Sequence, residues 1–492
     1  MYFKLVIKSL IYLFKIIAGP LIGLLSILLF PLDADDMQLN YMLGIIIWMA
    51  SWWIFQTVPL GITALMPVFL FPMTGIMSTD DVAGQYLNQV IFLFIGGCLV
   101  AFTIERWGLH QRMALVLINN IGYSKKKILA GFMLSSFILS MWISNSATAI
   151  MLLAPALALI SQMDGMLDIK KANIFASGLL LAIAYSASIG GASTLVGTPP
   201  NLIFAALYAE NFPELKSIGF ADWFILVFPV SLLFLIIMFF YFNKVININL
   251  DIDGNIFKKQ LKSLGKTSFE EKIILLLFFI LVILWFSRAG LNLGSIEIPG
   301  WSEFLPFGDL ILDSTVAVFI AALLFLIPSK NKKGEKLATK EELKKLPIDV
   351  IFLFGGGFAL AKGFQESGLA NYLAEQFIFL EYLPIILIVL VICIFMVIIT
   401  EFSSNTASTQ LILPVLIVLS ANMNIPPHLL MLPATIAASF AFMLPVATPP
   451  NTIIFGSERV TVSAMLKKGF WMNITGVCLI VIANYTIWKW LI

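Results

Sequence analysis

Long apolar stretches recur along the whole chain and are separated by short polar connections. An apolar helix of about 18–20 residues is long enough to cross roughly 30 Å of hydrocarbon. The pattern predicts eleven transmembrane helices, near residues 16–31, 41–58, 61–77, 88–103, 173–196, 221–242, 272–288, 311–328, 349–362, 431–446 and 469–490. Two further apolar stretches, 128–160 and 381–420, have a polar break in the middle.

The composition narrows the class of protein. Hydrophobic residues make up 60% of the 492 positions and charged residues only 12%, whereas a soluble domain carries about 25% charged residues. The net charge of +2 provides no basic surface for nucleic acid, and three cysteines with two histidines give no disulfide framework or metal-ligand spacing. The spans contain no pair of nucleophile and base. We therefore expect an all-α polytopic membrane protein in the lipid bilayer, with no enzymatic activity and no cofactor.

Lysine-rich loops predict the orientation in the membrane. Basic residues collect in the N-terminus, at 125–127, and in the loops 243–272 and 329–347. Cytoplasmic loops carry an excess of lysine and arginine, so we expect a multi-pass protein of the cell (plasma or inner) membrane, with a cytoplasmic N-terminus and an external C-terminus. Eleven crossings satisfy these loops only if 128–160 and 381–420 are re-entrant hairpins, each of which enters and leaves on one side.

The sequence contains an internal repeat. Four short blocks recur in the same order, three at a spacing of 260 residues and the last at 250. The matched pairs are Ile91–Gly97 with Ile351–Gly357, Gly108–Leu109 with Gly368–Leu369, Ser144–Ser146 with Ser404–Thr406, and Thr198–Asn201 with Thr448–Asn451. In the predicted orientation the two halves cross the membrane in opposite senses. Inverted repeats of this kind are typical of secondary transporters with a binding site near the midplane of the bilayer.

The repeat divides the chain into four predicted parts. Residues 1–87 form N-terminal helices, mostly scaffold, and residues 247–348 form a cytoplasmic loop and further scaffold helices. The first repeat core is 88–246, with a hairpin at 128–160 and a broken helix at 173–208. The second is 349–492, with a hairpin at 381–420 and a broken helix at 431–456.

The matched blocks carry the predicted chemistry. Ser-Asn-Ser at 144–146 and Ser-Asn-Thr at 404–406 lie inside apolar hairpins, where non-helical backbone is tolerated only if it is buried in protein or lines a watery cavity. These side chains cap helix N-termini well, and Thr-Pro-Pro-Asn places Pro in the first turn of a new helix. Four helix N-termini would then meet. Their free N–H groups and positive dipole ends favour an anion, while unwound carbonyls suit small hard cations.

These segments resemble a known family. Gly190–Asn201 is similar to the first signature of the divalent anion–sodium symporters, and Phe442–Asn451 to the second. This family includes the "I'm not dead yet" dicarboxylate transporters, and the resemblance covers almost the whole chain. It implies a homodimeric, elevator-type secondary transporter of C4–C5 dicarboxylates (succinate, fumarate, malate or 2-oxoglutarate), with sodium as the coupling ion.

The resemblance also implies roles for individual residues. The substrate carboxylates would contact Asn145, Ser146, Ser404, Asn405, Thr406, Thr448 and Pro449. The first cation site would use Ser140, Ser144, Asn145 and Gly197, and its repeat-related twin Thr400, Ser403 (or Ser404), Asn405 and Ala447. The repeat supports this pairing, because Ser140 and Thr400 are 260 residues apart and Gly197 and Ala447 are 250 apart. Ser146 departs from the family's threonine, keeping the hydroxyl but losing the methyl group.

Three transport functions fit this sequence. The first is a sodium-coupled dicarboxylate symporter, and the second is a sodium-independent dicarboxylate exchanger on the same scaffold. The third is a carrier of sulfate or another inorganic anion. The candidate cation ligands are nearly all neutral oxygens, which bind a monovalent ion weakly. The residues alone therefore leave the choice between symport and exchange open.

Overall fold

The computed structural model describes residues 2–247, 254–292, 297–376 and 383–489. These residues are overwhelmingly helical. The α-helices are α1 (Tyr2–Leu29), α2 (Met37–Phe55), α3 (Leu60–Ala64), α4 (Met66–Thr74), α5 (Thr79–Gly84), α6 (Gln89–Arg106), α7 (Leu109–Ile121), α8 (Lys125–Ser140), α9 (Asn145–Asp164), α10 (Ile169–Ala192), α11 (Pro199–Asn211), α12 (Phe220–Val245), α13 (Asn255–Ser263), α14 (Phe269–Ser287), α15 (Asp313–Leu326), α16 (Lys340–Lys344), α17 (Ile348–Glu366), α18 (Leu369–Gln376), α19 (Ile385–Phe402), α20 (Asn405–Asn422), α21 (His428–Ala438), α22 (Pro449–Phe455) and α23 (Val462–Ala483).

Short elements complete the described chain. Three 3₁₀ helices lie at Gln85–Leu87, Trp301–Phe304 and Gly308–Leu310, and a π-helix continues α23 at Asn484–Trp488. Two antiparallel strands of two residues each, β1 (Leu291–Asn292) and β2 (Glu297–Ile298), form a small hairpin between α14 and α15.

Eight of the described helical segments are long and apolar enough to cross a membrane. They are Met37–Phe55, Thr79–Arg106, Asn145–Asp164, Ile169–Ala192, Phe220–Val245, Ile348–Glu366, Ile385–Phe402 and Val462–Trp488. Shorter apolar helices cover Leu13–Leu29, Leu60–Thr74, Asp313–Leu326 and His428–Ala438. Together with α14, these segments account for the predicted spans, and the all-helical membrane fold is confirmed.

The predicted span 61–77 is not one regular helix. It is interrupted at Leu65, which divides it into α3 and α4. Pro67 has no N–H to donate to the carbonyl of Thr63, and in a continuous helix its ring would clash with that carbonyl. The carbonyl of Ala64, the next residue, is also outside the regular helical pattern, because the Val68 N–H bonds to the carbonyl of Leu65, and it accepts a hydrogen bond from the Tyr86 hydroxyl. The predicted span is therefore helical on both sides of an interruption at Leu65.

Both hairpins and both broken helices have their breaks within the predicted stretches. Residues 141–144 join α8 to α9, and residues 403–404 join α19 to α20. Residues 193–198 separate α10 from α11, whereas the longer stretch 439–448 separates α21 from α22. The second break starts earlier because side chains take over the backbone N–H groups that a longer α21 would have used.

The two repeat halves interlock around α10. Within the halves α8 packs against α10 and α19 against α21, while across the halves α9 packs against α22 and α11 against α20. A Cβ atom at Gly190 would lie 2.2 Å from the carbonyl oxygen of Phe137, so glycine permits the close approach of α8 and α10. Since α10 is buried almost throughout, the hairpins and broken helices form one packed unit.

A second, smaller apolar cluster lies beside this unit. It contains Met42 and Trp53 of α2, Phe71 of α4, and Leu353 and Phe364 of α17. These side chains are almost fully buried. The cluster therefore fixes α17, which forms part of the wall of the candidate site, against the N-terminal helices.

Candidate functional site

A cavity of about 790 Å³ lies where the two hairpin tips meet the two helix breaks. Tip residues 142–146 and 404–406 and break residues 196–199 and 446–449 line it, together with residues of α6, α17 and α22. Its volume falls within the roughly 300–1,000 Å³ that is usual for small-molecule sites. The structure thus brings sequence blocks that are far apart in the chain to one place.

All residues predicted to bind the substrate line the cavity. The lining residues include Asn145, Ser146, Ser404, Asn405, Thr406, Thr448 and Pro449. Five predicted cation ligands also line it, namely Ser144, Asn145, Gly197, Asn405 and Ala447. Ser140, Thr400 and Ser403 do not line it, and they are buried behind the tips.

A buried hydroxyl holds the asparagine of each tip. Ser140 Oγ donates a hydrogen bond to Asn145 Oδ1. Thr400 Oγ1 lies 2.6 Å from Asn405 Oδ1 and 2.8 Å from the carbonyl oxygen of Ala438, and it can donate to either. With the amide oxygen held from behind, each Nδ2 group is left as a donor for an anion in the cavity. The clustered hydroxyl, amide and carbonyl oxygens are also the ligands that hard cations take.

Ser403, the other hydroxyl residue of the predicted second cation set, makes a different contact. Ser403 Oγ lies 2.6 Å from Ser408 Oγ in the first turn of α20. The hydroxyl of Ser403 is thus engaged by Ser408, and Ser403 does not line the cavity with Asn405 and Ala447.

Glycines allow the first tip to sit against the first break. A Cβ atom at Gly191 would lie 2.3 Å from Asn145 Oδ1. A Cβ atom at Gly197 would lie 2.4 Å from the carbonyl oxygen of Gly191. Such contacts are too short for real atoms, so only glycine permits this arrangement of Asn145, Gly191 and Gly197.

The asparagine of each Thr-Pro-Pro-Asn motif holds its own helix break. Asn201 and Asn451 are fully buried, and each Nδ2 group donates to carbonyls in or next to the unwound stretch before it. The distances are 3.2 and 2.7 Å to Gly191 and Thr194 in the first half, and 3.2 and 3.1 Å to the repeat-related Ala441 and Leu444 in the second. The motif thus keeps the backbone open where Gly197 and Ala447 line the cavity.

Glu401 holds the second break from the other side. Its carboxylate is 3% exposed and accepts hydrogen bonds of 2.9 Å from the N–H groups of both Met443 and Leu444. Asn473 Nδ2 donates a third bond at 2.7 Å, while Asn473 Oδ1 accepts the N–H of Phe442 at 3.2 Å. These contacts explain why α21 ends earlier than α10. The sequence analysis missed Glu401, although an ionisable residue inside an apolar stretch is itself a signal of function.

The electrostatics of the cavity rest on helix ends and one lysine. The helices α9, α11 and α20 begin at its wall, so their partial positive ends favour an anion. Ser144 caps α9 by accepting the N–H of Ala147 at 3.1 Å. Lys345, which the sequence analysis also missed as a site residue, is the only formally charged residue among the described residues that line the cavity.

Sequence comparison identifies related proteins. Residues 9–492 match the family described as the sodium:sulfate symporter transmembrane region. The sodium-dependent dicarboxylate transporter SdcS of Staphylococcus saprophyticus is 41% identical over 479 residues, which cover 96% of this chain and 90% of that protein. SdcS of Staphylococcus aureus strain MRSA252 is 40% identical over 487 residues, with 96% of this chain and 91% of that protein covered.

Two solved structures have a similar fold. The YdaH transporter of Alcanivorax borkumensis has a TM-score of 0.56 at 12% identity, covering 83% of this chain and 88% of its own. MtrF of Neisseria gonorrhoeae, described with a class of antimetabolite efflux pumps, has a TM-score of 0.54 at 12% identity and 84% coverage of both chains. At such low identity these structures support the fold alone.

The match over nearly the whole sequence confirms the family resemblance. The relatives are membrane transporters and not enzymes, in agreement with the apolar helices of this chain. The protein is therefore a multi-pass membrane transporter that belongs to the sodium:sulfate symporter family.

Proposed function

We propose that the protein is a sodium-coupled symporter of C4–C5 dicarboxylates such as succinate, fumarate, malate and 2-oxoglutarate. One observation carries this proposal: Asn145 and Asn405, each held by a hydroxyl group five residues earlier, line the same cavity. The names of the SdcS relatives, at 40% and 41% identity, support both the substrate class and the coupling ion.

The two tips match the two ends of a dicarboxylate. Asn145 with Ser146 offers an amide and a hydroxyl to one carboxylate, and Asn405 with Thr406 offers the same groups to the other. Ser404, Thr448 and Pro449 complete the wall of the cavity. Helix N-termini contribute about half a positive charge each, so a dianion is stabilised although the tips themselves carry no formal charge.

Sodium is cargo in this proposal, and it would share ligands with the substrate site. The first sodium site would comprise Ser140, Ser144, Asn145 and Gly197, and the second Thr400, Ser403 (or Ser404), Asn405 and Ala447. Because Asn145 and Asn405 belong to both kinds of site, a cation bound to the amide oxygen would orient the Nδ2 group toward a carboxylate. The cations would also complete the neutralisation of the dianion before it crosses the apolar region. This shared use of two asparagines is the physical basis of coupling.

The proposal includes an elevator motion in a homodimer. The hairpins and broken helices pack on one another, which supports movement of the site as one body. Residues 88–246 and 349–492 would supply that body, and residues 1–87 and 247–348 most of the scaffold. With the N-terminus in the cytoplasm and the C-terminus outside, Lys345 lies on the cytoplasmic face, and the cavity opens to that side.

A sodium-independent dicarboxylate exchanger is the second candidate, because the candidate cation ligands are neutral oxygens, which bind a monovalent ion weakly.

Substrate class is tested by competition against uptake of labelled succinate into proteoliposomes containing the purified protein. We expect unlabelled fumarate, malate and 2-oxoglutarate to compete, and sulfate and monocarboxylates to compete weakly. Uptake that sulfate inhibits better than fumarate does would contradict the substrate class.

A further inference from the structure

Lys345 stands at the mouth of the cavity. Its side chain is 49% exposed and also lines the cavity, so the cavity reaches the surface at this point. None of the residues predicted to bind substrate or sodium carries a formal charge. A dianion moving between solvent and the tips therefore meets one full positive charge among the described lining residues, and meets it at the entrance.

Glu342, the acidic neighbour of Lys345, already accepts hydrogen bonds from other residues. Glu342 Oε1 lies 3.9 Å from Lys345 Nζ, which is a loose contact. Its second oxygen accepts hydrogen bonds from Arg106 Nη1 at 2.7 Å and from the Thr339 backbone N–H and hydroxyl at 2.8 and 2.9 Å. Burial raises the pKa of Glu342, but the bonds from Thr339 and Arg106 outweigh it and lower the pKa. The positive charge of Lys345 also acts electrostatically on the carboxyl group of Glu105.

The preceding lysine is arranged differently. Lys344 Nζ makes a 2.8 Å ion pair with Glu341 Oε1, and this hydrogen bond is the main reason why the pKa of Glu341 is lowered. Lys344 is 64% exposed and is not among the residues that line the cavity. Within the described part of the chain, the two adjacent lysines thus differ in two respects: only Lys345 lines the cavity, and its 3.9 Å contact with Glu342 is longer than the 2.8 Å ion pair of Lys344.

We propose that Lys345 is a docking point for dicarboxylates at the cavity mouth, where one carboxylate pairs with the ammonium group before the substrate reaches the tips or after it leaves them. The identity of the anion rests on the proposed function; the location rests on the cavity. A charge at the mouth of a cleft raises the local concentration of the oppositely charged ligand and its association rate. Because the side chain is half exposed, this effect is screened by salt over about 10 Å at 0.1 M ionic strength.

The test uses counterflow of labelled succinate in membrane vesicles loaded with unlabelled succinate. Right-side-out and inside-out vesicles present the two faces of the membrane, and choline chloride raises the ionic strength at constant sodium. The variants are Lys345→Gln and Lys345→Arg, with Lys344→Gln as the matched control. We expect K345Q to raise the KM for succinate about threefold at low ionic strength from the cytoplasmic face. Its maximal rate should be unchanged, and K345R and K344Q should behave as wild type.

High salt separates docking from a structural role. We expect the KM difference between K345Q and wild type to disappear at high ionic strength. If the KM of K345Q equals that of wild type from both faces, or is raised by the same factor at both ionic strengths, Lys345 is not a docking point. The proposed function would remain intact in either case. Wild-type vesicles that exchange no dicarboxylate would overturn both proposals, so the two failures are distinguishable.

Discussion

The Glu401 carboxylate accepts a 2.9 Å hydrogen bond from the backbone N–H of Leu444. At the equivalent joint of the first half, the Thr194 hydroxyl donates a 2.5 Å hydrogen bond to the carbonyl of Met141. Met141 and Glu401 are 260 residues apart, and Thr194 and Leu444 are 250 apart. Both halves therefore tie the hairpin tip to the helix break at the same place, with the roles of side chain and backbone exchanged.

Replacing Glu401 with Gln should loosen the second break. A glutamine offers one acceptor oxygen, so the N–H of Met443 or of Leu444 loses its partner, and losing a hydrogen bond to a charged group costs about 1.5–3 kcal/mol. We expect a lower melting temperature for the purified protein. We also expect a higher sodium concentration for half-maximal uptake, since Ala447, a predicted sodium ligand, follows this stretch. Met141→Leu, at the equivalent position, should leave both unchanged. Wild-type values for E401Q would refute this role of Glu401.

Replacing Gly191 with Ala should displace the first tip asparagine. The new Cβ atom would lie 2.3 Å from Asn145 Oδ1, so the amide has to move. We expect at least a tenfold loss of uptake with a normal amount of protein in the membrane. Gly97→Ala is the control, because Gly97 also lines the cavity but has its nearest neighbour, a Val196 carbon, at 3.7 Å. Equal uptake by the two variants would show that the position of Asn145 does not matter.

Alanine at either tip asparagine should weaken substrate binding. Asn145→Ala and Asn405→Ala each remove an amide donor to a carboxylate, which corresponds to roughly a tenfold to more than hundredfold loss of affinity. Ser146→Thr copies the second tip into the first and keeps the hydroxyl, so it should retain near wild-type affinity. The measurement is the concentration dependence of succinate uptake, with protein level checked by immunoblot. Unchanged affinity in both alanine variants would mean that the tips are purely structural.

The proposed orientation can be tested with two single cysteines. Lys333 and Ala421 are exposed and avoid the positive φ angles of the nearby Gly334 and Asn424. In a chain whose native cysteines are replaced by serine, an impermeant thiol reagent applied to intact cells should label A421C only. K333C should react after permeabilisation. Labelling of both from the same side would contradict the inverted topology.

The sequence predicted the tips and breaks because the same polar motifs recur inside apolar stretches of both halves. Asn145 and Asn405 could be paired by the repeat alone. The role of Glu401 could not be predicted in this way. The two backbone N–H groups that donate to its carboxylate belong to residues 42 and 43 positions further along the chain. Lys345 belongs to a lysine-rich loop that the charge pattern explains by topology, and only the fold places it against the cavity.

The interruption at Leu65 shows a different limit of the sequence pattern. Hydropathy detects the apolar stretch that contains α3 and α4, but it takes no account of the missing N–H group of Pro67. At the interruption the carbonyl of Ala64 accepts a hydrogen bond from Tyr86, a residue outside the stretch. Local pattern and tertiary contact therefore both decide where that helix ends.

The central claim is that sodium drives dicarboxylate uptake through the site formed by the two tips. Labelled succinate uptake into proteoliposomes measures this directly, with vesicles either unloaded or loaded with unlabelled succinate, and with external sodium or choline. The account predicts uptake into unloaded vesicles that rises with external sodium and is lost in the Asn145→Ala and Asn405→Ala variants. Uptake that occurs only in loaded vesicles and is unchanged when choline replaces sodium would contradict symport and establish an exchanger.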